Sequence, residues 1–198
     1  MFSGIIEATA QVLHIEQLSH VVRVTLQRPA HFQDIKIGDS ISCNGVCLTI
    51  ESFTPETLQF SLAAESLKTL RLEVAQLKNQ VWNLERSLRF GDRVHGHLVT
   101  GHVEALGEVI RSEAEGESWY LDIRVPVSLG RYIWNKGSIT LHGVSLTVNT
   151  FAENILSVCL IPETLKRTNL THISAGQNIN IETDYLAKAY FQGRDHAL

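Results

Sequence analysis

Long apolar runs are missing from this chain. No stretch approaches the ~20 residues that span a bilayer, although 44% of its 198 residues are hydrophobic. That composition is ordinary for a globular protein, and the length suits one large domain or two small ones of ~100–150 residues. The opening Met1-Phe2-Ser3-Gly4-Ile5-Ile6-Glu7 has no basic n-region, so no secretory signal is expected. Positive charge is also short: the net charge is −4 and the basic residues are scattered, which leaves no electrostatic footprint for nucleic acid. Cysteine is limited to Cys43, Cys47 and Cys159, an odd number with no staple spacing. That favours free thiols in a reducing compartment. No Gly-rich dinucleotide fingerprint follows any strand-like run, which disfavours an ordinary flavin reductase barrel. These absences lead to the expectation of a soluble cytoplasmic protein with no membrane or nucleic-acid partner.

What the chain does have is an internal repeat. Asn44-Gly45-Val46-Cys47-Leu48-Thr49-Ile50 returns 98 residues later as His142-Gly143-Val144-Ser145-Leu146-Thr147-Val148. Glu65-Ser66-Leu67-Lys68 returns as Glu163-Thr164-Leu165-Lys166, again at 98. Asn83-Leu84-Glu85 returns as Asn180-Ile181-Glu182 at 97, and Ser3-Gly4-Ile5-Ile6-Glu7-Ala8 returns as Thr100-Gly101-His102-Val103-Glu104-Ala105, also at 97. Four blocks in one order, with a single residue of slippage, mark a module that occurs twice.

Each module reads as strands. Val21 to Leu26 and Trp119 to Val125 alternate or run β-branched, as half-buried strands do. Gly38-Asp39, Gly45, Gly91-Asp92, Gly137 and Gly143 punctuate the runs at turns and bulges. About six short strands per module suit a small closed barrel, which leaves no sheet edge exposed. The expected architecture is all-β: two tandem homologous six-stranded Greek-key β-barrels plus a short C-terminal α-helix. The boundaries fall at 1–97, 98–184 and 185–198. Glu65 to Leu72 and Glu163 to Leu170 read as short helical turns. Tyr185, Leu186, Ala189 and Tyr190 stand at helical spacing and form an apolar stripe. A helix so short is marginal alone in water, so the stripe is expected to pack on something, a second subunit being the natural candidate.

Two places concentrate chemistry. Gly91 to His102 holds His95, His97 and His102 among three glycines. One reading is metal, because His-x-His on a strand puts both rings on one face. A second is histidines satisfied by hydrogen bonds, and a third is proton transfer near neutral pH. No carboxylate or cysteine set completes a ligand pattern. His102 stands apart because its repeat partner is the apolar Ile5. At the second place, Cys47 with Thr49 and Ser145 with Thr147 lie at i and i+2 and share a strand face. Such pairs suit hydrogen bonds to the edge of a heterocycle, or else fill a tapering barrel interior. Nothing in the sequence identifies a partner that would activate Cys47 as a nucleophile.

At these residues the chain resembles the riboflavin synthase family, which is built from tandem lumazine-binding barrels. The resemblance covers essentially the whole chain. It runs through Met1-Phe2-Ser3-Gly4-Ile5-Ile6, Asn44 to Thr49, Asn83-Leu84-Glu85-Arg86 and Gly96-His97-Leu98-Val99-Thr100-Gly101-His102-Val103. It continues through Gly143 to Thr147 and Leu160-Ile161-Pro162-Glu163-Thr164-Leu165, and ends at Thr168-Asn169-Leu170. It implies a dismutation in which one 6,7-dimethyl-8-ribityllumazine gives four carbons to another, with no metal or organic cofactor. It implies a homotrimer held partly by C-terminal helices, with active sites between the N-terminal barrel of one subunit and the C-terminal barrel of its neighbour. Lumazine synthase is implied as a pathway partner.

The same resemblance implies the site residues. In the first barrel, substrate contacts fall at Gly4, Ile5 and Ile6, at Cys47, Leu48 and Thr49, and at Ser61, Leu62, Ala63, Ala64, Glu65 and Ser66. In the second they fall at Gly101, His102 and Val103, at Lys136, at Ser145, Leu146 and Thr147, and at Ile161, Pro162, Glu163, Thr164, Leu165 and Lys166. The expected catalytic set is His102, Ser145, Thr147 and Cys47. His102 with the Ser145/Thr147 pair is placed at the proton chemistry, and Cys47 with Thr49 on the partner molecule. Two departures from the family pattern stand out: His142 where Asp is common, and Leu70-Arg71 where Thr-Asn is usual. Lumazine proteins share the double barrel and bind the chromophore without catalysis. They are degenerate around the Gly-His-x-x-x-Gly-His element that is intact here.

Overall fold

The computed structural model describes residues 1–19, 21–63, 67 and 77–195. The first module contains β1 (Ala8–Gln17), β2 (Val21–Gln27), β3 (Ser40–Cys43), β4 (Val46–Thr49), β5 (Ser52–Phe53), β6 (Thr57–Ala63) and β7 (Val81–Arg86). The second contains β8 (Ala105–Glu115), β9 (Ser118–Arg124), β10 (Ser138–Leu141), β11 (Val144–Ala152), β12 (Ile155–Leu160) and β13 (Asn178–Thr183). The second sheet closes in the order β10-β11-β12-β9-β8-β13, and the first runs β4-β3-β7-β1-β2-β6-β5. These are the same barrel. β11 is bulged between Val148 and Thr150, and at the equivalent point the first module breaks its strand into β4 and β5. β1 and β8 are likewise bulged at equivalent places, Val12/His14 and Val109/Arg111. Bulges supply the bends that a small barrel needs to close.

Alternation drives each strand to its place. In β2 the buried residues are Val22, Val24 and Leu26, and in β6 Leu58, Phe60 and Leu62. Each fully buried side chain of this size contributes ~1.5–3 kcal/mol. Two separate cores result, one per barrel. One residue crosses between them: Ile6, from the first module's entry segment, is 4% exposed and packs in the core of the second barrel.

The barrels interlock through equivalent residues on both sides of a pseudo-twofold axis. Phe2 and Val99, which occupy equivalent positions, exchange N–H···O bonds of 2.8 and 3.1 Å. Gly45 and Gly143 meet back to back: a Cβ on either would lie 2.7–2.8 Å from the other's backbone nitrogen. Asn83 Nδ2 donates to the His142 carbonyl at 3.0 Å, and Asn180 Nδ2 donates to the Asn44 carbonyl at 2.8 Å.

Beyond β12 the chain forms α1 (Pro162–Arg167), as the helical turn at Glu163 predicts, and the chain ends in α2 (Tyr185–Asp195). The equivalent turn at Glu65 to Leu72 and the Leu70-Arg71 departure lie outside the described residues. α2 docks by a different face from the predicted stripe. Ala187 is buried, and Phe191 meets the Tyr132 ring at 5.7 Å with Arg131 over its own face at 4.8 Å. Tyr185, Leu186 and Tyr190 remain 46%, 62% and 61% exposed. Among the described residues no helix is long and apolar enough to cross a membrane.

Gly45→Ala or Gly143→Ala should wedge the barrels apart, because no side-chain rotation relieves a clash between backbones. We expect a loss on the order of 2–3 kcal/mol, and calorimetry should show the single transition splitting in two. An unchanged melting curve would contradict the back-to-back packing.

Candidate functional site

Each barrel carries a polar patch on its outer face. The register pairs Ser40 with Thr49 and Ser42 with Cys47 in the first barrel, and Ser138 with Thr147 and Thr140 with Ser145 in the second. All eight positions match at an offset of 98. Leu48 and Ile50, and Leu146 and Val148, point into the cores. The Cys47/Thr49 and Ser145/Thr147 pairs therefore face outward and do not fill the barrel interior. Ser40, Ser42, Ser138 and Thr140 were not singled out from the sequence. Their matched small hydroxyls at the repeat offset were the available signal, but their partnership with the neighbouring strand appears only with the register.

The entry segment of each barrel lies across the other barrel's patch. Gly4 O accepts the Ser145 N–H at 2.8 Å, and Gly101 O accepts the Cys47 N–H at 2.7 Å. A Cβ on either glycine would stand 2.6 Å from the Cβ of the residue it covers, and both adopt positive φ, 76° and 81°. Only glycine fits there. This crosses the grouping expected from the sequence: Gly4, Ile5 and Ile6 belong with Ser145, while Gly101, His102 and Val103 belong with Cys47. Within one chain, His102 directly follows the glycine that covers Cys47.

Two buried carboxylates hold the crossed segments. Glu85 accepts from Ser3 N (2.7 Å), Ser3 Oγ (2.9 Å) and Gly4 N (2.9 Å). Glu182 accepts from Thr100 N (2.7 Å), Thr100 Oγ1 (2.7 Å) and Gly101 N (2.9 Å). Burial pushes the Glu85 carboxyl up to about 7, against the pull of its three donors.

The patches are not equal. His97 Nδ1 lies 2.7 Å from Ser145 Oγ, and its Nε2 lies 3.1 Å from Thr140 Oγ1. Gly96 presses on the same serine: a Cβ there would meet Ser145 Oγ at 2.7 Å and Ser3 O at 2.1 Å. Burial lowers the His97 pKa, with Asp184 and Glu182 pulling the other way. The neutral ring links the Ser145 and Thr140 hydroxyls through its two nitrogens, one donating and the other accepting. Ser42 occupies in the first barrel the place that Thr140 holds in the second. Among the described side chains, the Ser42 hydroxyl at that place is buried without a partner.

His102 is exposed, and its N–H reaches Thr100 Oγ1 at 3.3 Å. Thr49, Thr147 and Lys136 are exposed, and Cys47, Ser61, Val103 and Ser145 half-buried. Ala63, Ile161, Pro162, Glu163 and Lys166 are exposed, with Thr164 and Leu165 half-buried. The side chains of Ile6, Leu48, Leu62 and Leu146 are buried in the cores, so they offer a ligand only backbone. Ala64, Glu65 and Ser66 lie outside the described residues. A cleft of about 680 Å³ between the barrels, bordered by Trp82, His142 and His172, shares only Leu62 with the expected contacts. It lies apart from both patches. Among the described residues no three His, Cys, Asp or Glu side chains gather where they could hold a metal ion.

Two residues depart from their twins with visible consequences. Lys136 takes φ 69° where the first barrel has Gly38 at φ 92°. Each donates its N–H across a bulge, to Val148 O at 2.8 Å and to Ile50 O at 2.9 Å. A lysine in a left-handed bulge position costs ~1–2 kcal/mol relative to the glycine of its twin. His142 replaces Asn44 at an equally left-handed site, φ 46° against 48°. Asn44 Oδ1 accepts the Asn83 N–H at 2.8 Å, and His142 Nδ1 accepts the Asn180 N–H at 3.1 Å. The ring must be unprotonated at Nδ1, and burial pushes its pKa down to about 4. His142 is therefore a neutral acceptor standing in for a side-chain oxygen. Asn169, of the Thr168-Asn169 pair, reaches the first barrel, where its Nδ2 donates to Asn44 Oδ1 at 3.0 Å and to Val81 O at 2.8 Å.

Two stability measurements follow. Lys136→Gly should raise stability by about 1 kcal/mol by relieving the bulge, read from denaturant midpoints; no gain would remove the strain argument. His142 is depressed in the fold, so its contribution is complete above pH ~6.5 and is lost as pH falls from there toward ~4, by up to ~3 kcal/mol. His142→Asn keeps the acceptor and removes the titration. The difference between the two proteins should be flat above pH ~7 and grow below ~6.5. Parallel curves would show that His142 is not buried neutral.

Known proteins resemble this chain along nearly its whole length. The lumazine binding domain family matches residues 3–87 and 100–184, one copy on each barrel. The riboflavin synthase of Photobacterium leiognathi is 38% identical over 192 residues, covering 95% of this chain and 86% of that protein. That of Mycobacterium bovis is 39% identical over 194 residues, covering 95% of both. That of Bacillus subtilis is 34% identical and covers 97% of this chain and 89% of its own. Among solved structures, LumP complexed with riboflavin superposes with a TM-score of 0.82 at 23% identity, over 92% of this chain and 99% of that one. LumP complexed with 6,7-dimethyl-8-(1'-D-ribityl) lumazine gives 0.81 at 21%; at these identities the likeness speaks for the fold alone. With two lumazine-binding domains and relatives of that identity along nearly its whole length, the chain belongs to the riboflavin synthase family.

Proposed function

We propose that the chain catalyses the dismutation of two molecules of 6,7-dimethyl-8-ribityllumazine. One molecule transfers a four-carbon unit to the other, giving riboflavin and 5-amino-6-(D-ribitylamino)uracil. The observation that carries this reading is the pair of crossed patches: two matched sets of hydroxyl and thiol groups on one chain suit two copies of one substrate. Holding both in register turns an encounter of two molecules into an effectively unimolecular step. The reaction needs a base for the substrate's acidic 7-methyl group, whose anion is delocalised into the ring, so a modest base suffices. His102, exposed beside the Cys47 patch, takes that role. Ser145, backed by the neutral His97, and Thr147 bind and polarise the second molecule, with Lys136 beside them. Cys47 and Thr49 grip the first. No metal or organic cofactor takes part in this scheme.

The units acting here are residues 1–97, 98–184 and the helix of 185–198. The outward stripe of Tyr185, Leu186 and Tyr190 supports a homotrimer, in which the first barrel of one subunit faces the second barrel of its neighbour. The enzyme works in the cytoplasm, downstream of lumazine synthase, which makes its substrate.

Incubation of the purified protein with the lumazine should yield one riboflavin for every two lumazines consumed, followed by absorbance. A chromophore that binds and stays unconverted would overturn the enzyme reading. His102→Ala should lower kcat by ~10²-fold or more; a loss no greater than that of a distant surface change such as Glu16→Ala would remove His102 from the chemistry. Leu186→Asp with Tyr190→Asp should convert the trimer to monomer in sedimentation, and an unchanged sedimentation coefficient would exclude this stripe as the trimer contact.

A further inference from the structure

The turns before β3 and β10 are equivalent in sequence position and built by different means. In Lys36-Ile37-Gly38-Asp39, glycine takes the left-handed place and Asp39 Oδ2 accepts the Lys36 N–H at 2.8 Å. In Trp134-Asn135-Lys136-Gly137 neither device is present. Lys136 holds the left-handed place, and Gly137 has no side chain with which to cap the turn. An indole takes over instead. A Cβ on Gly137 would stand 2.6, 2.8 and 3.0 Å from Cε2, Cδ2 and Cζ2 of Trp134, so the ring lies directly on that glycine. Gly137 N donates to Trp134 O at 3.0 Å, and Asn135 Oδ1 accepts the Phe151 N–H at 2.7 Å, tying the same turn to β11.

Burial alone does not account for this tryptophan. It is 47% exposed, so it forgoes much of the transfer free energy an indole could gain. What it does is brace a turn whose lysine sits in a conformation that lysine disfavours. The next residues, Ser138 and its cross-strand partner Thr147, belong to the second barrel's patch.

We infer that Trp134 is a positioning residue: its indole fixes the Lys136 turn beside Ser138 and Thr147, and so sets where Lys136 stands relative to a lumazine bound at the second barrel. This rests on the reading of that patch as a substrate site. Trp134 acts through Lys136, so its loss matters only while Lys136 is present.

A double-mutant cycle tests the coupling. Lys136→Ala and Trp134→Leu should each raise KM for the lumazine about fivefold or more, with kcat within about twofold. Trp134→Leu introduced into the Lys136→Ala protein should add less than about twofold. Gly137→Ala, whose Cβ takes the indole's place, should reproduce the Trp134→Leu effect. Trp134→Phe, which keeps an aromatic brace, should stay within about twofold of the unmodified chain. The inference is overturned if Trp134→Leu raises KM equally in both backgrounds, if it lowers the melting temperature with KM unchanged, or if Lys136→Ala leaves KM untouched. An unmodified chain that makes no riboflavin would instead sink the reading of the site as a riboflavin synthase centre, which is a separate result.

Discussion

A buried carboxylate gripping a crossed-over chain segment is the interaction on which the remainder of the molecule depends. Glu85 and Glu182 each take two backbone N–H groups and one hydroxyl from the segment that enters their barrel. Those donors would be costly to bury unpaired, and a carboxylate is the side chain that can accept all three. Once held, each segment continues across the other barrel, where Gly4 and Gly101 meet Ser145 and Cys47. Ile6 then settles into the neighbouring core. The two barrels are thereby one body, and neither patch is complete without the other module.

Inequality follows from the same arrangement. The axis relates the patches, but the side chains around them differ. Gly96 and His97 come onto Ser145, while among the described side chains the Ser42 hydroxyl of the first barrel has no partner. Drift within the repeat adds to this. Ile5 stands where the second copy has His102, and Gly38 where it has Lys136. A reaction between two identical molecules requires that they be treated differently, and this chain differentiates them by small substitutions on a duplicated frame.

Much of this was legible in the sequence, and what was not has definite physical reasons. Alternation in Val21–Gln27 and Thr57–Ala63 shows strands, and the repeat offset shows that the barrels are copies. The offset identifies equivalent residues but not the barrel on which an entry segment lies, so the crossing of Gly4 onto Ser145 had no sequence signal. Ser40, Ser42, Ser138 and Thr140 join the patches only through strand register. His142 was visible as a departure, yet its neutrality depends on burial and on the Asn180 N–H that points at Nδ1. The stripe on α2 was read correctly as apolar. That Ala187 and Phe191 would do the docking instead depends on where Tyr132 and Arg131 sit.

The crossing itself is tested most directly by amide chemical shifts in the isotope-labelled protein carrying Glu85→Gln or Glu182→Gln. If each carboxylate governs the opposite barrel's patch, Glu85→Gln moves the Ser145 amide, whose N–H points at Gly4 O, and leaves the Cys47 amide in place. Glu182→Gln does the reverse. If each substitution instead disturbs the patch of its own barrel and spares the other, the composite sites described here do not exist.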